Sequence, residues 1–287
     1  MENPTFQKLT HLAGGFSRRD LFQKGGTMAA LLGALRGGRG GVASADPVVS
    51  GSGLYESIGV RPLVNCRGTF TIISGSLSLP EVKRAMEEAS RHYVDLDELM
   101  EGVGKRLAEI TGADWGIVTA GCAAAMTHMT SACLAGTDPE KMQKLPRLDG
   151  LKSEVVIPAY SRNVYDHAIR MLGVKVVEVH EPGQLESAFN EGTAMVYILA
   201  GPGDDGPLGT SVISAVARRK GVPVMVDAAA ETLTIPNIHL QRGATVVGYS
   251  GGKCMRGPQC AGLLLGDKNL LQAAWANSAP HHAFGRS

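Results

Sequence analysis

Val246-Val247-Gly248-Tyr249-Ser250-Gly251-Gly252-Lys253 passes from a β-branched apolar run into three small residues and then a lysine. The first half has the composition of a buried strand. The second half has almost no side-chain bulk, so it reads as a loop whose backbone a bulky planar group can approach closely. Working outward, short apolar runs of the first kind recur at 115–119, 154–158, 175–179, 195–199, 222–226, 244–249 and 261–265. Stretches of helical spacing at 121–134, 164–172, 185–189 and 210–220 separate several of them. Upstream, Leu79, Val82, Ala85, Met86 and Ala89 follow helical intervals around Pro80, which predicts a helix over 80–92. Leu96, Leu99, Val103, Leu107 and Ile110 predict a second helix that closes at Gly112. Strands alternating with helices predict an α/β fold, a mostly parallel sheet with helices on both faces.

In open sheets of this kind ligands sit beyond the carboxyl ends of the strands, so the residues just after each apolar run carry the information. Three places stand out. Thr119-Ala120-Gly121-Cys122-Ala123-Ala124-Ala125 follows one run and opens an alanine-rich helix. Backbone N–H groups of Gly121, Cys122 and Ala123 fit a phosphate there, and the same residues also fit a plain tight turn. Val224-Met225-Val226-Asp227-Ala228-Ala229 ends a buried run in a carboxylate. Asp227 suits a helix cap, a metal ligand, or the acceptor of a proton on a pyridine nitrogen. Lys253, with Arg256-Gly257-Pro258-Gln259 and Gly262 beyond it, suits either an amine that condenses with an aldehyde or a solvated loop lysine.

Composition bounds the rest. With 44% hydrophobic and 19% charged residues in 287, the chain has the material for a sizeable core. Lys+Arg 28 against Asp+Glu 27 gives a net charge of +1, so no overall field draws it to nucleic acid or anionic membrane, and neither partner is expected. Cys66, Cys122, Cys133, Cys254 and Cys260 lack metal-like or paired spacing, so neither a metal site nor a disulfide framework is expected.

Ser17-Arg18-Arg19-Asp20-Leu21-Phe22-Gln23-Lys24, the mildly apolar 25–35 and Ala43-Ser44-Ala45 come in the order of a signal peptide. Residues 1–45 therefore resemble a twin-arginine (Tat) signal, which implies a periplasmic or otherwise exported protein, or a cytoplasmic one if the signal is not used. The apolar stretch is too short to span a bilayer. Residues 46–80 read as an N-terminal arm, and 81–287 as the main domain.

Asp227 at a strand end, then Ser250-Gly251-Gly252-Lys253 followed by Gly257-Pro258-Gln259 and Gly262, resembles the fold-type-I enzymes that depend on pyridoxal 5'-phosphate (PLP). More narrowly, the chain is similar to the selenocysteine synthase (seryl-tRNA selenium transferase) group and its D-glucosaminate-6-phosphate ammonia-lyase-like relatives. Val64-Asn65-Cys66-Arg67-Gly68-Thr69 and Tyr93-Val94-Asp95-Leu96 match earlier landmarks of that group.

The resemblance implies a PLP-dependent aminotransferase-like large domain in which Lys253 holds the cofactor as a Schiff base and Asp227 pairs with the ring nitrogen. Gly121, Cys122 and Ala123 would cradle the phosphate, with Ser250 adding a hydroxyl. Arg162 and His167, in Ser161-Arg162-Asn163-Val164-Tyr165-Asp166-His167, fall where such enzymes place groups near the ring or the substrate carboxylate. The implied activity is that of a lyase or transferase on a small amino acid or amino sugar, by β-elimination or ammonia loss, in a homodimer. A near-neutral charge sets the tRNA role aside. Such enzymes continue into a small C-terminal domain, so the end at Ser287 implies that this domain is largely missing. That puts substrate binding and lid closure in question and leaves a degenerate or fragmentary PLP-fold protein without catalysis as the alternative to an enzyme.

Overall fold

Thr193–Leu199 is an apolar run of seven residues, and all but the last are buried. A run of this kind is stable only with packing on both sides, and it forms an interior strand of a seven-stranded sheet. The computed structural model describes residues 53–279 and 281–284, so the expected signal peptide at 1–45 and the first part of the arm lie outside the described residues. The chain divides into two units, one ending at Val64 and the other running from Asn65. The described part of the first holds a single helical turn, Gly53–Glu56. Everything that follows concerns the second.

The strands are β1 Trp115–Thr119, β2 Glu154–Pro158, β3 Lys175–Val179, β4 Thr193–Leu199, β5 Val224–Asp227, β6 Val246–Ser250 and β7 Gly262–Gly266, in the spatial order β1-β7-β6-β5-β4-β2-β3. Neighbours from β6 to β3 pair parallel, and β7 runs antiparallel to both β1 and β6. The mostly parallel sheet expected from the sequence is thus observed. Alternation sorts each strand onto two faces. Val155, Ile157, Met195, Tyr197 and Met225 point into one core, and Val156, Val196, Ile198, Val224 and Val226 into the other.

The helices are α1 Pro80–Ala89, α2 Leu96–Thr111, α3 Cys122–Ala135, α4 Thr210–Arg219 and α5 Lys268–Ala276, with the six-residue Pro139–Lys144 between α3 and α4. Asp95 caps α2 by accepting from the N–H groups of Asp97 and Glu98, and Gly112, at φ 70°, ends it in the left-handed region. Ala125, Met126, Met129 and Ala132 of α3 pack into the first core with Leu271 and Ala274 of α5, whereas Ile213, Val216 and Ala217 of α4 fill the second.

Two helices expected from periodicity are shorter in the structure. In 164–172 a 3-10 turn, Val164–Asp166, passes into one α-turn, His167–Arg170. Asp166 is buried there between Arg162 and Arg170, and Gly173 at φ 80° closes the segment. Over 185–189 there is only the 3-10 turn Glu186–Ala188. No described helix is long and apolar enough to cross a membrane.

Candidate active site

Because β1, β4, β5 and β6 are parallel, their last residues, Thr119, Leu199, Asp227 and Ser250, end at the same edge of the sheet. The antiparallel β7 begins among them, with Gly262 in register with both Thr119 and Ser250. A methyl group on Gly262 would lie 2.5 Å from the carbonyl carbon of Gly121, so only glycine lets these two turns come together. A cavity of about 410 Å³ opens at this edge. Its walls include Gly121, Cys122 and Ala123 from the start of α3, Asn163 and Tyr165, Asp227 to Glu231 after β5, Ser250, Lys253 and Gln259.

Asp227 is 4% exposed. Its Oδ2 accepts from the Tyr197 hydroxyl at 2.9 Å, its Oδ1 accepts from the N–H of Ala229 at 3.0 Å, and the Cys122 thiol lies 3.6 Å from Oδ1. The Asn163 amide in turn donates to the Tyr197 hydroxyl at 3.0 Å. Burial holds the Asp227 carboxyl above its ordinary range; the Ala229 N–H, the Tyr197 hydroxyl, the Lys253 charge and the Cys122 thiol pull it back down. A desolvated carboxylate of this kind is complementary to a cation brought into the cavity. The same burial, with the Asp227 charge and its hydrogen bond, pushes the Cys122 thiol well up, so this cysteine sits at the site without the makings of a nucleophile.

The start of α3 is complementary to the opposite charge. Gly121, at φ 95° and ψ 164°, enters the helix with no side chain capping it, which leaves first-turn N–H groups facing the cavity edge as an anion site.

Lys253 stands on a tightly tied loop. Gly251 N–H donates to Ala261 at 2.7 Å, Gly257 N–H donates to Gly251 at 2.7 Å, and both the N–H and the hydroxyl of Ser76 donate to the Gly252 carbonyl. A methyl group on Gly252 would fall 2.5 Å from Gln259 Cα. The Lys253 ammonium lies 5.7 Å from the centroid of the Tyr165 ring, within cation–π range, and the Tyr165 hydroxyl reaches Thr71 at 3.4 Å.

The structure thus brings Gly121, Cys122, Ala123, Asp227, Ser250 and Lys253 to one cavity. Arg162 and His167 stand elsewhere. Arg162 pairs with Asp166 at 2.6 Å and with Glu178, and His167 is exposed on its turn; Asn163 and Tyr165 from the same stretch line the wall instead. Tyr197 and Glu231 escaped the sequence reading. A tyrosine inside an otherwise apolar strand was the signal for the first, because a buried hydroxyl demands a partner. Glu231, four residues past Asp227, carried none.

All five cysteines are free thiols. Apart from the cavity, Asp97, His281 and His282 bring ligand atoms within 4.8 Å of one another. Asp97 Oδ1 there accepts from Trp275 Nε1 at 2.8 Å and lies 3.0 Å from His282 Nε2.

No family model matches the chain. It is 32% identical over 239 residues to a 5'-C-glycyluridine monooxygenase-decarboxylase of a Streptomyces species, covering 77% of this chain and 58% of that one. It is 30% identical over 245 residues to the D-glucosaminate-6-phosphate ammonia lyase of Salmonella typhimurium, covering 82% and 65%. The solved structure of a D-glucosaminate-6-phosphate ammonia-lyase superposes with a TM-score of 0.73 at 29% identity, over 82% of this chain and 65% of that one. An aspartate aminotransferase of Thermus thermophilus, at 18% identity and TM-score 0.51 over 72% and 58%, shares the fold. The chain spans between 54% and 65% of the length of the curated relatives it matches. In sequence and fold together this chain is similar to the PLP-dependent, aminotransferase-like enzymes represented by its D-glucosaminate-6-phosphate ammonia-lyase relative.

Proposed function

We propose that the protein is a PLP-dependent lyase that acts on a small amino-group substrate, an amino acid or amino sugar, by β-elimination or loss of ammonia. The observation that carries this reading is the meeting of Lys253, the buried Asp227 and the uncapped start of α3 around one cavity. Bound there, PLP supplies an electron sink for the charge left on the substrate carbon beside the amine.

The chain's own residues divide the remaining work. The N–H groups of Cys122 and Ala123, with the Ser250 hydroxyl, hold the phosphate at the helix end. Asp227 keeps a proton on the ring nitrogen; Tyr197 and the Ala229 N–H fix both of its oxygens so that it cannot turn away. Lys253 would hold the cofactor through its amine, and the same amine would carry a proton to and from the substrate carbon beside the amino group. Met126, Val164 and Leu199 line the wall and limit water.

A homodimer belongs to the same reading. Ile72, Leu77 and Tyr93 are almost wholly exposed, and a second copy would cover such apolar side chains. Export by the Tat route is the corresponding proposal for residues 1–45, with loading of the cofactor before translocation.

The test is the absorbance of purified protein mixed with PLP, followed by borohydride reduction and peptide mapping, with Lys253→Ala alongside. The expected result is a visible band in the wild type, trapped on Lys253 and absent from the variant. A wild type that develops no band at any PLP concentration overturns the assignment and leaves a PLP-type fold without its cofactor.

A further inference from the structure

Glu231 lines the cavity with its side chain 37% exposed, and it is held from behind rather than left free. Its Oε2 lies 2.7 Å from Nε2 of His239, an imidazole that is only 2% exposed. The other ring nitrogen of His239 has no hydrogen bond and faces Oδ2 of Asp204 at 3.6 Å. Asp204 is itself 4% exposed; it accepts from the N–H of Thr210 at 3.1 Å and from Arg242 at 3.1 Å. The backbone of His239 is fixed on both sides: its main-chain N–H donates to Asn237 Oδ1, and its carbonyl accepts from the N–H of Ala244. A carboxylate, a buried imidazole and a second carboxylate therefore run from the protein interior to the cavity wall. A surface glutamate needs no such support, because its long side chain gains nothing from being fixed.

We propose that Glu231 is the specificity-determining carboxylate of this site, that it accepts a hydrogen bond from a hydroxyl at the far end of the substrate and repels a carboxylate there, and that His239 and Asp204 position it. The inference rests on the PLP reading above. Among the described residues of the wall, Lys253 is the one cation and is already assigned to the cofactor, so a second substrate carboxylate finds no partner and meets Glu231 instead. Fixing Oε2 on His239 leaves Oε1 for the substrate, which gives the acceptor a single direction.

The experiment begins with PLP loading, measured by borohydride trapping, in the wild type, Glu231→Ala, Glu231→Gln, His239→Gln and His239→Leu. Each loaded protein is then titrated calorimetrically with racemic 2-aminobutyrate, homoserine and aspartate, which differ only at the end away from the reacting carbon. Wild type is expected to bind homoserine about tenfold more tightly than aspartate, the size of one hydrogen bond to a charged group. Glu231→Ala is expected to load PLP and bind all three within about twofold of each other, and Glu231→Gln to keep homoserine while admitting aspartate. His239→Gln, which retains a donor toward Glu231, should keep the preference that His239→Leu weakens. If Glu231→Ala loads PLP and retains the wild-type ratio, the specificity role is overturned while the lyase reading stands. Equal ratios in all three His239 forms remove the positioning role. Failure of the wild type to load at all overturns the lyase reading and this inference together.

Discussion

Tyr197, from the middle of β4, donates its hydroxyl hydrogen to the Asp227 carboxylate at the end of the neighbouring β5, at 2.9 Å. Parallel pairing sets Leu199 opposite Asp227, so the tyrosine reaches across from two residues earlier on the same face. Neither group is stable alone in that position. The buried carboxylate needs donors and the buried hydroxyl needs an acceptor.

Tyr197→Phe removes the donor and leaves Asp227 Oδ2 without it, while the Ala229 N–H on Oδ1 remains. The variant is expected to unfold more easily by about 1–2 kcal/mol, the cost of an unsatisfied buried acceptor. It is also expected to bind PLP more weakly, because Asp227 loses one of its two fixed oxygens. Urea unfolding and equilibrium dialysis with PLP read the two effects; unchanged PLP affinity would detach Tyr197 from the site.

The pH dependence of stability carries the signature of Asp227. Its folded pKa is raised by burial, so its contribution favours folding at low pH and is lost as pH climbs from the unfolded carboxylate value, about 3.9, through the folded one. Asp227→Asn removes that titration. Relative to the variant, the cofactor-free wild type should lose stability as the pH rises from acidic to neutral. Asp166, Glu154 and Glu186 are held low by their basic partners and act in the opposite sense in both proteins, so they cancel in the difference. Thermal melts of both across pH decide it. A constant difference would mean that Asp227 is not desolvated.

Cysteine reactivity gives a third check. Cys66, Cys254 and Cys260 are exposed, whereas burial raises the Cys122 thiol well above its usual value and the Cys133 thiol to about 12. Since the thiolate is the reactive form, iodoacetamide should label the first three rapidly and the last two slowly. Peptide mass spectrometry over a time course measures this. Rapid labelling of Cys122 would contradict its burial against Asp227.

What could be read from the sequence followed from local regularities. The runs at 115–119, 154–158 and 175–179 match β1, β2 and β3 end to end, because each is a short run rich in β-branched and apolar residues that is bounded by turns. The helix closing at Gly112 was legible for the same kind of reason, since a left-handed cap is a local demand that glycine meets. The 164–172 segment misled because its apolar spacing is helical, while Asp166 draws Arg162 and Arg170 to itself and leaves one α-turn.

The site divides along the same line. Asp227, Ser250 and Lys253 announced themselves because each follows an apolar run, and chain order alone puts such residues at one edge of a parallel sheet. Sequence determined that edge and its small-residue loops. Tertiary structure alone decided which side chains stand behind them: Tyr197 reaches Asp227 from another strand, Glu231 leans on His239 and Asp204, and Arg162 is claimed by Glu178 on β3. These partners are brought together by strand order and register, and a pairing made across the sheet leaves no period in the chain that encodes it.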